Sequence, residues 1–236
     1  MSDDLTRRSG WLLLPAQDVL RGLERCLDSG ARGLLAVTSG LLAGWWAYVP
    51  LHELLHAGAC LAAGGTVSRL EIDPLYGGSL LARLFPFIVP ASAYAGRLSG
   101  FDTRGSDVIY LVTDLGPFLL ALVPGSWVLR RAARSRRPLL FGLALPCALA
   151  PFLSLSGDAY EIGSLAATRL PPWSAAPIRQ LLRGDDLFEK VRELAVLPHA
   201  PWGGAAFAAL AGVAWAFLTY KLGDRLAAAL GQAALD

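Results

Sequence analysis

Two histidines and a glutamate stand in the run His52-Glu53-Leu54-Leu55-His56, a spacing suited to metal chemistry. On a helix, residues four apart share a face, so both imidazoles can converge on one divalent cation. The glutamate, one position beyond the first histidine, can reach water at that cation without ligating it. Two nitrogen ligands and a base point to hydrolysis assisted by one Zn²⁺ ion. The metal activates water, and Glu53 takes its proton and passes it to the leaving amine of a peptide bond.

Accidental spacing is the bland alternative, and the setting weighs against it. The motif lies in an apolar run, residues 33–64, in which these three are the only acidic or histidine side chains after Gly33. A charged group near the centre of a membrane helix costs about 2.5–3.5 kcal/mol on insertion scales and usually marks a functional site.

A catalytic zinc takes three protein ligands, so one must come from elsewhere in the chain. Asp158 leads the candidates: it follows the apolar run ending Phe152-Leu153-Ser154-Leu155-Ser156-Gly157, with capping of the next helix as its other role. Asp114, in Thr113-Asp114-Leu115-Gly116-Pro117, can ligate, orient a ligand's other ring nitrogen or line the entry for water, and the supporting roles are preferred. Glu161 is one turn beyond Asp158 and joins the same cluster. His199, between prolines in Leu197-Pro198-His199-Ala200-Pro201, reads as a surface-loop histidine.

Three landmarks in order resemble the site-2 protease class of intramembrane metalloproteases, the M50 peptidases: His52 to His56 in an early apolar helix, Gly116-Pro117 in a middle span, and Gly157-Asp158 at the end of a later one. They cover roughly residues 45–165. The resemblance implies His52, His56 and Asp158 as ligands of one zinc ion, Glu53 as the catalytic residue, and a membrane-anchored protein, cut in or beside its transmembrane helix, as substrate. Residues 67–72 resemble the family's membrane-associated hairpin, which would receive the unwound substrate by edge pairing. One departure stands out: the family places Asn and Pro before its aspartate and Gly after it, whereas Asp158 lies between Gly157 and Ala159. It keeps open an alternative, a catalytically inactive relative that binds zinc or a partner protein as a membrane scaffold.

The elements that must position these groups follow from composition. The chain is 54% hydrophobic and only 17% charged, against about 25% charged in ordinary soluble domains. An all-α integral membrane protein is expected, with four principal spans at about 33–64, 108–129, 138–157 and 202–220, the first longer than, and the others near, the roughly 20 residues that cross a bilayer. Residues 1–32 form an N-terminal segment whose part from Leu12 to Leu27 has an interfacial amphipathic pattern, with no leader expected to be cleaved; residues 221–236 form a tail. Pro50 suggests a bend or restart in the first span. After it comes a connector with β-like alternation at 67–72, turn signals at Asp73-Pro74 and Gly77-Gly78, and a two-proline stretch at 84–95 that reads as re-entrant. The polar loop 168–201 either lies on the membrane surface or folds over the site as a gate.

Arg130, Arg131, Arg134, Arg136 and Arg137 mark one short loop as cytoplasmic. With four spans both termini share that side, in a bacterial-type inner or plasma membrane. The net charge of +2 and arginines grouped between apolar runs argue against a nucleic-acid surface, leaving the lipid bilayer and a membrane-anchored substrate as partners. Cys26, Cys60 and Cys147 form no C-x-x-C pair, which excludes a disulfide framework or a thiolate zinc site.

Overall fold

Long stretches rich in Ala and Leu favour helix throughout the chain. The computed structural model describes residues 2–91, 93–184, 186–232 and 235. Helix α1 (Ser2–Leu27) is followed by Gly30, whose φ of 63° lies in the left-handed region that glycine occupies without strain. Helix α2 (Ala31–Ala62) then runs 32 residues. Pro50 neither ends nor restarts it: the proline costs one helical hydrogen bond but sits inside the continuous helix.

Beyond α2 the chain turns back on itself. Strand β1 (Thr66–Ile72) leads into a 3₁₀ turn (Pro74–Tyr76), in which the Asp73 carboxylate accepts from the Leu75 amide, and into the short α3 (Gly78–Leu81). Strands β2 (Ile88–Val89) and β3 (Gly96–Asp102) complete a sheet of order β2-β1-β3, with β1–β2 parallel and β1–β3 antiparallel. The turn signals at 73–78 therefore serve a longer excursion than a two-stranded hairpin. The Trp46 indole donates to the Leu75 carbonyl at 2.7 Å, and the Trp45 indole to the Tyr76 hydroxyl at 3.2 Å. These bonds bring the tip of the connector alongside α2, about 24 Å back from its end at 1.5 Å per residue.

Helix α4 (Asp107–Leu115), a 3₁₀ turn (Gly116–Phe118), a π-type turn (Ala121–Gly125) and α5 (Ser126–Arg134) form one broken helical path. Among the described residues, three stretches are long and apolar enough to cross a membrane: Ala31–Ala62, Asp107–Arg134 and Trp202–Ala229. The segment expected as a span at 138–157 is instead a series of short helices, α6 (Pro138–Ala148), α7 (Ala150–Leu153) and α8 (Asp158–Ala167). Helix α6 packs along α2, and α8 packs along the last long helix. Between them the polar loop contains α9 (Ala176–Leu182) and α10 (Leu187–Ala195), followed by α11 (Trp202–Ala229). Of the expected tail, residues through Ala229 continue α11, while 233, 234 and 236 lie outside the described residues.

One end of the molecule is tied by a buried ion cluster. The Arg130 guanidinium, fully buried on α5, lies 2.6 Å from Asp18 Oδ2 of α1 and 2.7 Å from Asp224 Oδ1 of α11. The Tyr220 hydroxyl donates to Asp18 at 2.9 Å, and Lys221 pairs with Asp224 at 2.6 Å. Two carboxylates thus meet two cations. Arg130 is for this reason a packing residue and not a loop charge, which leaves Arg131, Arg134, Arg136 and Arg137 exposed around the α5–α6 turn. Removing one member of a buried charge cluster leaves its partners uncompensated, so Arg130→Met is expected to lower stability by about 3–5 kcal/mol. Denaturant unfolding of the full chain in detergent micelles measures this, and an unchanged midpoint would refute it.

Candidate metal centre

His52 and His56 lie one turn apart on the same face of α2, with Nε2 atoms 3.2 Å from each other. Asp158, the first residue of α8, faces both: Oδ2 is 3.2 Å from His52 Nε2, and Oδ1 is 3.4 Å from His56 Nε2. The partly positive N-terminus of α8 favours an anionic side chain there. The N-cap position of α8 is Gly157, so Asp158 is the first helical residue and not the cap.

This donor set fits a tetrahedral metal ion. Ligands held about 2.0–2.1 Å from zinc in tetrahedral directions stand about 3.3 Å from one another, close to the separations of 3.2, 3.2 and 3.4 Å. Asp158 Oδ2 is buried with no hydrogen bond of its own, a cost that a coordinated cation removes. Among the described residues these three form the one cluster of side chains able to hold a metal. His199 is exposed between α10 and α11 and stands outside it.

Both imidazoles are held from behind. His56 Nδ1 is 2.9 Å from the Thr113 carbonyl of α4, and His52 Nδ1 is 2.9 Å from the Tyr48 hydroxyl, one turn earlier on α2. In a continuing helix the Thr113 carbonyl would accept from the amide of residue 117. Residue 117 is proline and has no N–H, so the carbonyl takes the Gly116 amide and has a lone pair left for His56. Pro117 thereby acquires a physical role.

Gly116 makes the approach of α4 to α2 possible. A Cβ there would stand 2.5 Å from the Leu55 carbonyl oxygen and 2.9 Å from Ala59 Cβ. Gly96 plays the same part for β3, where a Cβ would lie 2.5 Å from Glu53 Cγ. The Glu53 side chain is therefore sandwiched between the metal-capable cluster and β3, with the Leu98 backbone amide as its hydrogen-bond donor.

A cleft of about 250 Å³ opens over Glu53, His56 and Asp158. Asp114, buried on α4, and Glu161, buried on α8, line it, together with Asp186 and Glu189 of the polar loop at the start of α10. The Leu187 amide donates to the Ser156 carbonyl at 2.7 Å, which fastens that loop beside Asp158. Residues of the polar loop thus line the same cleft as Glu53 and Asp158. Sequence reasoning missed Tyr48, although it stands one helical turn before His52, and it missed the Thr113 carbonyl, for which Pro117 four residues later was the available signal.

Because the neighbour of Gly116 is backbone, Gly116→Ala is expected to destabilise the chain by about 1–3 kcal/mol through overpacking. Gly58, on the same helix as the histidines, has open space around it, so Gly58→Ala should be neutral or stabilising by up to about 1 kcal/mol; thermal unfolding in detergent compares the two. Compared with known proteins, the chain matches no family model, no curated protein and no solved structure, so the reading of this centre rests on its own geometry.

Proposed function

We propose that this chain is an intramembrane zinc-dependent endopeptidase of the site-2 protease type, hydrolysing a peptide bond in or next to the transmembrane segment of a membrane-anchored protein. The observation that carries the reading is the convergence of His52 Nε2, His56 Nε2 and the Asp158 carboxylate at 3.2–3.4 Å, with Glu53 beside them in an open cleft. Their helix, α2, is long and apolar enough to cross a membrane.

His52, His56 and Asp158 are the ligands in this reading. Bound by them, a zinc ion supplies Lewis-acid activation of water and polarisation of a carbonyl. Glu53 accepts a proton from the attacking water as the new C–O bond forms, then delivers it to the amide nitrogen as the C–N bond breaks. Asp114 and Glu161 keep the cleft polar enough to admit water into apolar surroundings.

An extended substrate would add to the sheet. Strand β1, which contains 67–72, is central and already paired on both sides, whereas β3 is paired on one side only and its Gly96 comes against Glu53. Main-chain pairing along β3 would lay a substrate strand past the base. The α6–α8 path serves as the fourth crossing of the bilayer. The four exposed arginines around the α5–α6 turn support a topology with that turn, α1 and the end of α11 on the cytoplasmic side of a bacterial-type inner or plasma membrane.

The test combines metal content with turnover in the purified full chain. Glu53→Gln is expected to retain one zinc and lose cleavage of a membrane-anchored substrate. His56→Ala and Asp158→Ala should lose the metal, while His199→Ala keeps it. Undiminished cleavage by zinc-loaded Glu53→Gln would overturn the mechanism, and zinc without cleavage in the wild type would favour the scaffold alternative.

A further inference from the structure

The two histidines of the centre are oriented by different means. His56 leans on a backbone carbonyl, which substitution cannot delete, whereas His52 leans on one side chain, Tyr48, at 2.9 Å. Tyr48 is buried and lies one turn before His52 on α2, its ring 5.2 Å from the imidazole and 5.6 Å from the Trp45 ring. It does not line the cleft, so it can act only through His52. We propose that Tyr48 is a positioning residue: its hydroxyl oxygen accepts the Nδ1 proton of His52 and so fixes the ring with the Nε2 lone pair directed at the cation site. The proposal rests on the metal reading of the His52, His56 and Asp158 cluster.

The chemistry is that of a neutral imidazole. When Nε2 offers its lone pair to a metal, the ring's single proton must reside on Nδ1, and a buried N–H needs an acceptor. Most metal-bound histidines find a carboxylate, a backbone carbonyl or water, and loss of such a partner weakens metal binding by about 10- to 100-fold. Pro50 removes one helical hydrogen bond from the turn before His52, and the oxygen at His52 Nδ1 is that of Tyr48, at 2.9 Å. Residues 48 and 49, four and three before His52, share its face of α2 from that direction; Val49 has no polar atom in its side chain, and the Tyr48 phenol supplies oxygen without burying another charge.

Tyr48→Phe deletes the oxygen and keeps the ring with its contacts to Trp45 and His52, so the metal-free variant should stay folded, its unfolding temperature lowered by no more than the loss of one buried hydrogen bond. Co²⁺ serves as the probe, added to the full chain in detergent against a competing chelator, with visible absorption reporting ligand geometry. Tyr48→Phe is expected to bind Co²⁺ about 10- to 100-fold more weakly with altered band positions or intensities. Wild-type affinity and spectrum in Tyr48→Phe would overturn the positioning role while leaving the metal centre intact. A larger loss of metal-free stability without any change in the Co²⁺ spectrum would overturn it in favour of packing. Wild-type chain whose Co²⁺ uptake does not depend on His56 would overturn the metal reading, and the role of Tyr48 with it.

Discussion

Ionisable groups placed among apolar helices must find one another, because isolated in such surroundings each costs several kcal/mol. That constraint governs the packing around His52, His56 and Asp158. The two histidines cannot turn outward from α2 into apolar surroundings without losing their partners. Asp158 can meet them only if α8 begins where the α6–α7 path breaks, and the Thr113 carbonyl can reach His56 only if α4 packs against α2. Three helices that are distant in sequence are thus fixed relative to one another by a few polar contacts of 2.9–3.4 Å.

A second polar knot surrounds Arg130, in the middle of α5. It joins α1, α5 and α11 through Asp18 and Asp224, so the two clusters lie toward opposite ends of α2. His56 is 25 residues from the start of α2, about 38 Å along it, whereas Arg136, at the α5–α6 turn, pairs with Asp28 just before that start. Between the knots the contacts are apolar and tolerant of small shifts. Directional polar contacts at both ends give such packing a unique register.

The connector after α2 supplies what helices alone cannot, a strand beside the carboxylate of Glu53. Its course is held by the indoles of Trp45 and Trp46 at one end and by the absence of a side chain at Gly96 at the other. Together with Gly116, this makes two positions where missing atoms bring separate elements to one site. In both cases backbone or side chain approaches so closely that a methyl group has no room.

The sequence by itself determined the local pattern at 52–56, because helical spacing needs no knowledge of the rest of the chain, and it determined the apolar character of the long helices, because composition records the surroundings a segment can tolerate. It singled out Asp158 as a candidate without the means to bring it to the histidines. Only the tertiary structure decided that convergence, since it depends on where α8 starts and how α6 lies on α2. It also made β1 central and β3 an outer strand, moved Arg130 from a loop charge to a buried knot, and brought Asp186 and Glu189 to the cleft. Each of these depends on contacts between residues far apart in the chain, which periodicity and composition do not encode. Tyr48 and Pro117 fall between the two: their spacing from His52 and Thr113 was legible, but its meaning required knowing which atoms the histidines face.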